Sequence, residues 1–179
     1  MRFHEYIYES QGMDIKLIEQ HGVSAAIQEV IPNFFSRDRT AVEQHFVGHT
    51  EGNSSTILGY HQRELIGIVT IRWHSNYPPF RAQGIPLLQY IEIKWDRRGQ
   101  GFGAALLAEA ERLAATRATK LGICVGIFDA YGPAQHLYTK RGYVADGRGL
   151  CRRHKPVRQG ETVQIDHDLL LWLIKDLGV

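Results

Sequence analysis

The sequence predicts a mixed α/β fold in which strands form one sheet with helices on both of its faces. Residues 56–61 and 65–73 are strand-like runs separated by three residues, a spacing typical of an antiparallel hairpin. Residues 87–95 and 121–129 are apolar runs of strand length, and a helical pattern over residues 102–118 connects them. A strand, a helix and a strand in this order predict a parallel crossover, so the sheet should contain both kinds of pairing.

Length and composition limit the classes of protein to which the chain could belong. We expect residues 1–179 to form one domain with a full hydrophobic core, and residues 1–12 to be a poorly ordered lead-in. The net charge of +2 gives no electrostatic footprint for nucleic acid, and no run approaches the roughly 18 apolar residues of a membrane helix. We therefore expect neither nucleic acid nor a membrane among the partners.

The two cysteines and the first residues indicate the compartment. Cys124 and Cys151 are too few for a disulfide framework, and Cys124 lies inside an apolar run typical of a buried thiol. The chain has no metal-ligand spacing such as C-x-x-C, so we expect no metal. The first residues lack the apolar core of a signal peptide, so we expect a cytoplasmic protein. The basic run 151–155 indicates a solvated loop more than an anion-binding patch.

The elements before the hairpin follow from local patterns. Residues 13–19 alternate in polarity like a first strand, which Gly22 ends. Ser24 is placed to cap a helix that runs to about Val30, and Asp38 is placed to cap a second helix.

Glycine and proline mark the remaining connections. Gly67 lies inside a predicted strand and indicates a bulge or a close approach of another group. Residues 76–84 form a long loop before the central strand, stiffened by two prolines. A short helix is expected from about residue 133 to residue 141, a turn at residues 146–149, and a closing strand at residues 168–175.

The stretch that carries the functional prediction is a glycine-rich turn between the central strand and the long helix. Gly99, Gly101 and Gly103 let the backbone approach a ligand closely, and the first N–H groups of the helix have no partners inside it. Such a turn can hold a phosphate or a pyrophosphate. The dinucleotide and P-loop patterns are both absent, so a glycine-rich connection without a ligand remains the alternative.

Two segments together resemble a known family. Arg98 to Gly103 has the pattern R-x-x-G-x-G after a strand, which resembles the acetyl-coenzyme A signature of the GNAT superfamily of N-acetyltransferases. Tyr131 to Tyr143 resembles the family's later N-x-x-A-x-x-x-Y-x-x-x-G-F/Y element, with Tyr131 in place of the asparagine. The resemblance extends from about Met13 to the end of the chain. It implies a largely antiparallel central sheet in which one parallel pair of strands splays apart.

The resemblance implies acetyl-coenzyme A as co-substrate. Loop amides would hold the pyrophosphate, and exposed backbone of the central strand would receive the pantetheine arm and the acetyl oxygen. Because Tyr131 replaces the family's asparagine, we expect a different contact to that arm here. The implied coenzyme-binding residues are Ile91, Ile93, Arg98, Gly99, Gln100, Gly101, Phe102, Gly103, Ala104, Tyr131 and Ala134.

Tyr138 matches the family's tyrosine, which donates a proton to the thiolate of coenzyme A. A phenol is neutral at pH 7 and can therefore donate. The alternative is an aromatic ring that only packs on a short helix. The match of Ala134 before it and Gly142 after it favours the catalytic acid.

The general base is less defined by the sequence. Glu92 on the central strand could take a proton from the amine through water, although strand alternation could equally turn it away from the substrate. Family members often have an acid at the start of this strand, where this chain has Leu87. His74 and Asp129 are further candidates at the ends of neighbouring strands.

The function that the resemblance implies is direct transfer of an acetyl group to a primary amine of a small molecule or peptide. We expect His74, Tyr77, Phe80 and Arg81 to contact the acceptor, although the two aromatic rings could instead pack on the sheet. Arg81 favours an acceptor with an anionic group. Because of Leu87, a non-catalytic acyl-coenzyme A binding or regulatory domain is the alternative. Dimers are common in the family, which leaves a homodimer open.

Overall fold

The computed structural model describes residues 7–10, 12–18, 23–34 and 39–178. The strands are β1 Ile7–Ser10, β2 Met13–Ile18, β3 Ser54–His61, β4 Glu64–Arg72, β5 Leu87–Ile93, β6 Lys120–Gly126, β7 Val144–Arg152, β8 Lys155–Pro156 and β9 Leu169–Asp176. The helices are α1 Val23–Val30, α2 Arg39–Thr50, α3 Pro78–Arg81, α4 Phe102–Ala115 and α5 Gly132–Lys140. The chain forms two compact units, one from residues 1–73 and 89–113 and the other from residues 74–88 and 114–179.

The first unit has the strand order β1-β2-β3-β4-β5, and β1 to β4 pair antiparallel. The predicted hairpin is confirmed, with a two-residue turn in which Gln62 and Arg63 have φ values of 50° and 66°. Positive φ at both central residues gives a turn whose twist matches that of the strands. A cluster from α1, α2 and the strands forms the core, and its buried members are Ile18, Ala26, Val30, Phe34, Val42, Phe46, Leu58, Leu65 and Ile68.

Gly67 of β4 lies against side chains from α4 and from the end of β5. A Cβ atom at this position would collide with the side chains of Leu106 and Ile93. The close approach predicted for Gly67 is thus confirmed, and the irregularity of this hairpin lies instead between Gly59 and Tyr60. Because only a glycine fits here, α4 can lie directly against the sheet and its first turn is held in place.

The second unit has the strand order β5-β6-β9-β7-β8. Leu87 and Leu88 of β5 pair in parallel with Gly122 and Ile123 of β6, and the other pairs are antiparallel. The prediction of a mixed, mostly antiparallel sheet with one parallel pair is therefore confirmed. A second buried cluster lies in this unit, and it consists of Tyr77, Phe80, Ile85, Leu87, Cys151 and Trp172.

Several local predictions need correction. The turn expected at residues 146–149 is wrong, because these residues lie within β7 at a shift in its pairing with β9. Gly147 and Gly149 supply the positive φ values, 84° and 70°, that this interruption requires. The loop at 76–84 contains α3, which begins at a proline as helices readily do.

Element boundaries differ from the expected ones by a few residues. Residues 7–10 of the predicted lead-in form β1, while its residues 1–6 and 11 lie outside the described residues. β5 ends at Ile93, and a 3₁₀ turn follows at Trp95–Arg97. The predicted end of the first strand at Gly22 and the cap at Asp38 lie outside the described residues, as does the side chain of Ser24.

Candidate functional site

The glycine-rich loop lies in the first unit, between the 3₁₀ turn that follows β5 and the first residue of α4. Gly99 and Gly101 have φ values of 75° and 90°, in the left-handed region that favours glycine. No atom lies within 4 Å of the position that a Cβ atom would occupy at either glycine. The backbone of the loop therefore borders open space, where a ligand could approach it closely.

Several N–H groups of this loop have no backbone acceptor among the described residues. The carbonyl of Gly101 accepts the N–H of Ala105 at 3.1 Å, so Gly101 immediately precedes the helical hydrogen bonds of α4. Within the described part of the chain, the N–H groups from Gly99 to Ala104 donate no recorded backbone hydrogen bond. Such groups at a helix start carry partial positive charge. The loop can therefore bind an anion of the size of a phosphate or pyrophosphate.

Side chains on both sides fix the shape of this loop. Arg98 donates a hydrogen bond from Nε to the carbonyl of Ile93 at 3.0 Å, and its guanidinium lies 4.8 Å from the centre of the Trp95 ring. Gln100 donates from Nε2 to the carbonyl of Asp96 at 3.2 Å. These contacts tie the loop to the strand and the turn before it, so its N–H groups are arranged before a ligand arrives.

A charged cluster joins the same turn to the hairpin. Glu64 at the start of β4 accepts Lys94 Nζ at 2.9 Å and Arg97 Nη2 at 2.6 Å. These hydrogen bonds from Lys94 and Arg97 lower the pKa of the Glu64 carboxyl. The cluster is partly exposed, so its main effect is to hold the turn in position.

The central strand presents different side chains on its two faces. Ile93 is buried beside Leu106 of α4, and Ile91 is half-buried on the same face. Glu92 lies on the opposite face, half-buried, and accepts a hydrogen bond from the phenol of Tyr90. Tyr90 packs against the core cluster beneath α1 and α2. The carboxylate of Glu92 is therefore held on the face of β5 that carries these two helices.

The core of the first unit contains a row of hydrogen-bonded histidine and threonine side chains that the sequence did not predict. His45 Nε2 lies 2.7 Å from Thr70 Oγ1, which lies 2.5 Å from Thr56 Oγ1, and this hydroxyl lies 2.8 Å from His49 Nε2. Three hydrogen bonds need three protons and the two hydroxyls supply at most two, so at least one imidazole donates. The signal in the sequence is the pair of histidines four residues apart on α2.

The environment of His45 keeps its imidazole neutral. Burial lowers the pKa of His45 to about 3, and the nearby His49 and Arg72 lower it in the same direction. The His45 ring lies 5.3 Å from the ring of Tyr90. The neutral imidazole of His45 therefore packs directly behind the tyrosine that holds Glu92.

Tyr138 lies in the second unit, on α5, where its side chain is 5% exposed. Burial raises the pKa of the Tyr138 phenol well above its ordinary value, and the neighbouring Cys124 and Tyr131 add to the shift. The phenol therefore keeps its proton at neutral pH. A neutral phenol is what a proton donor to a thiolate requires.

The other residues of the second motif surround the end of β6. The Tyr131 ring covers Gly126, where a Cβ atom would collide with it, and the Tyr131 hydroxyl lies 3.2 Å from His167 Nδ1. Gln135 donates to the carbonyl of Gly126 at 2.8 Å, which fixes α5 against this strand end. Ala134 is half-buried on the same helix.

The residues predicted to contact the acceptor fall into two groups. His74 and Arg81 are exposed, whereas Tyr77 and Phe80 are fully buried. Tyr77 stacks on Trp172 with ring centres 3.8 Å apart and donates a hydrogen bond to Asp146 at 2.9 Å. The structure gives the two aromatic residues a packing role, and an acceptor role for them stays a prediction.

The part of the chain that the structure describes holds no cluster of three or more His, Cys, Asp or Glu side chains that could bind a metal ion. Among the described residues, no helix is long and apolar enough to cross a membrane.

Comparison with known families identifies the class of protein. The family model of the acetyltransferase (GNAT) domain matches residues 52–145, more than half of the 179-residue chain. The match includes the hairpin, the parallel crossover and the glycine-rich loop. The protein is an acyltransferase. It belongs to the GNAT family of acetyltransferases.

Solved structures show the same fold. An acetyltransferase of the GNAT family from Bacillus cereus matches with a TM-score of 0.62 and 10% identity over 92% of this chain and 96% of that chain. The ribosomal protein alpha-N-acetyltransferase RimL matches with a TM-score of 0.61 and 15% identity, covering 96% of this chain and 97% of its own. A chimera of the Vibrio cholerae spermidine N-acetyltransferase SpeG and hSSAT matches with a TM-score of 0.60 and 13% identity, over 93% and 96% of the two chains. No match was found among curated protein sequences.

Proposed function

We propose that this protein transfers an acetyl group from acetyl-coenzyme A to a primary amine of a small molecule or peptide. The observation that carries the proposal is the loop from Gly99 to Ala104, which borders open space at Gly99 and Gly101 and whose N–H groups have no backbone acceptor in the described part of the chain. Phosphate oxygens are the natural acceptors for such a set of donors. In a member of the GNAT family, the pyrophosphate of coenzyme A is the anion that we assign to the loop.

The remaining coenzyme contacts are assigned through the family resemblance. The backbone of Ile91 and Ile93 is proposed to receive the amide groups of the pantetheine arm, which can pair with a strand edge. Tyr131 and Ala134 are proposed to contact the arm from the second motif. Tyr131 is tied to His167, so the contact that replaces the family's asparagine would come from an aromatic side chain.

Direct transfer forms a C–N bond and breaks the thioester C–S bond, so one proton must leave the amine and one must reach the sulfur. Glu92 is proposed to accept the amine proton through a water molecule, with Tyr90 holding its carboxylate. Tyr138 is proposed to donate its phenolic proton to the leaving thiolate and to regain one from solvent. Burial keeps the Tyr138 phenol protonated at neutral pH, so it has a proton to give.

The acceptor is proposed to carry a primary amine and an anionic group. His74 and Arg81 are the exposed members of the predicted acceptor set, and Arg81 is the cation that would pair with a carboxylate. Both cysteines are free thiols, which suits the cytoplasmic location that we propose. A homodimer is proposed on the family resemblance alone.

The proposal is tested by release of free thiol from acetyl-coenzyme A in the presence of amino acids, peptides and polyamines. We expect turnover with one class of amine and only background hydrolysis without it. If the amine carries an anionic group, Arg81→Ala should raise its KM and leave kcat unchanged, whereas Gln83→Ala nearby should change neither. Tight binding of acetyl-coenzyme A with no thiol release on any amine would contradict the proposed transfer.

A further inference from the structure

Trp95 is an unusually exposed tryptophan at the entrance to the glycine-rich loop. Its side chain is 82% exposed, whereas Trp172 is 2% exposed and Trp73 is half-buried with its indole N–H bonded to Ser55. Tryptophans are highly buried on average in folded proteins. The position of Trp95 therefore needs an explanation other than packing of the core.

The Trp95 ring is held in one position by its neighbours although it is exposed. Trp95 begins the 3₁₀ turn Trp95–Arg97, and the guanidinium of Arg98 lies 4.8 Å from its ring centre. The same Arg98 side chain is bonded to the carbonyl of Ile93 at 3.0 Å. A cation over one face of an indole is attractive, and it leaves the opposite face available to a planar ligand. A ring that is already positioned loses little conformational entropy when a ligand covers it.

Three groups that can each bind a different part of a ligand follow one another along the chain at this point. The ring of Trp95 comes first, the charge of Arg98 lies against it, and the open N–H groups from Gly99 to Ala104 follow. An aromatic face binds a planar base, and a cation beside N–H donors binds phosphate groups. The ligand that matches this order has a nucleobase joined through a sugar to several phosphates.

We propose that Trp95 is the stacking platform for the adenine ring of coenzyme A, with Arg98 against the other face of the indole. This inference rests on the proposed binding of the coenzyme at the loop. A second copy of this chain covering Trp95 is the competing explanation for its exposure. The neighbouring phosphate donors favour the nucleotide, because a chain-to-chain contact would leave those N–H groups unexplained.

The test compares coenzyme A with 4′-phosphopantetheine, which lacks adenine, ribose, the 3′-phosphate and one phosphate of the pyrophosphate. Calorimetry gives the affinity of both ligands for the wild-type protein, for Trp95→Ala and for the conservative Trp95→Phe. We expect Trp95→Ala to weaken the binding of coenzyme A by about 5- to 150-fold, the range for loss of one base-stacking contact, and to leave the affinity for 4′-phosphopantetheine unchanged. Trp95→Phe keeps an aromatic face and should recover most of the affinity.

Indole fluorescence is a second measurement. If Trp95 had only a structural role, coenzyme A would not quench its emission. Coenzyme A should quench the wild-type emission, 4′-phosphopantetheine should not, and the quenching should disappear in Trp95→Phe. Equal coenzyme affinity in the wild type and Trp95→Ala would overturn the inference while the proposed function stood. Equal weakening of both ligands, or a changed oligomeric state with unchanged coenzyme affinity, would also overturn it. A wild-type protein that bound no coenzyme A would overturn both proposals.

Discussion

The phenol of Tyr90 donates a hydrogen bond to the carboxylate of Glu92, two residues further along β5. Strand alternation places both side chains on one face, and the Tyr90 ring packs edge-on against the ring of His45. The carboxylate is thereby held by a tyrosine that is itself held by the core under α1 and α2. This arrangement supports Glu92 as the group that receives the amine proton.

Replacing Glu92 tests that role. We expect Glu92→Gln to lower kcat by about 100-fold or more, the usual contribution of a general base, with little change in coenzyme affinity. Tyr90→Phe should lower kcat by a smaller factor, because the carboxylate remains but loses the donor that orients it. Thiol release at saturating substrates and calorimetry measure the two quantities. Wild-type turnover in Glu92→Gln would leave His74 and Asp129 as the candidate bases.

Replacing Tyr138 tests the proposed acid. Because its pKa is raised, the phenol stays protonated through neutral and moderately alkaline pH, and it should supply its proton throughout that range. Tyr138→Phe keeps the ring and removes only the hydroxyl, so we expect kcat to fall by about 100-fold with coenzyme affinity nearly intact. Tyr143→Phe is a matched control, since this neighbouring tyrosine is also buried. Equal kcat in Tyr138→Phe and the wild type would remove Tyr138 from the mechanism.

The neutral state of His45 predicts a pH dependence of stability. Its pKa is about 3 in the folded protein and about 6.5 in the unfolded chain, so the unfolded chain binds more protons between these values. The stability that His45 contributes is therefore present above pH 6.5 and is lost as the pH falls toward 3. At pH 5 the loss should be about 2 kcal/mol, from a difference of about 1.5 pH units.

Urea unfolding of the wild type and His45→Gln at pH 7.5 and pH 5 measures this contribution. The free energy of unfolding of the wild type should fall more between the two pH values than that of the variant. If the wild type and His45→Gln lose stability in parallel, then His45 does not carry the effect.

The buried aromatic cluster of the second unit predicts that Phe80, one of the residues expected to contact the acceptor, stabilises the fold. Phe80 is fully buried, packs against Trp172 and covers Gly122, where a Cβ atom would collide with it. Phe80→Ala should therefore destabilise the protein by about 3–5 kcal/mol, as large-to-small core changes do. Arg81→Ala, at the next residue, is exposed and should change stability by less than about 0.5 kcal/mol. A small effect of Phe80→Ala on unfolding would contradict the packing role.

The elements that the sequence predicted well are those that local patterns specify. The hairpin around Gln62, the crossover through α4 and the glycine-rich loop each depend on alternation, helical spacing or a need for positive φ. The loop could be predicted because Gly99 and Gly101 serve a local backbone geometry.

The features that the sequence did not predict depend on distant partners. Gly147 and Gly149 do have positive φ, but pairing of the flanking residues with β9 keeps the chain in one strand and makes no turn. Tyr77 is buried because Trp172, nearly a hundred residues later, stacks on it. The hydrogen bonds between His45 and Thr70 likewise join residues that only the folded sheet brings together.

The most direct test of the proposed coenzyme site is calorimetric binding of acetyl-coenzyme A to the wild type, Gly101→Glu and Gly160→Glu. The two glycines have φ values of 90° and 87° and equally open surroundings, so both substitutions impose the same backbone strain. Only the one at Gly101 places a carboxylate against the proposed pyrophosphate site. We predict that the wild type and Gly160→Glu bind with the same affinity and that Gly101→Glu does not bind. Wild-type affinity in Gly101→Glu, or no binding by the wild type, would contradict the proposed coenzyme site.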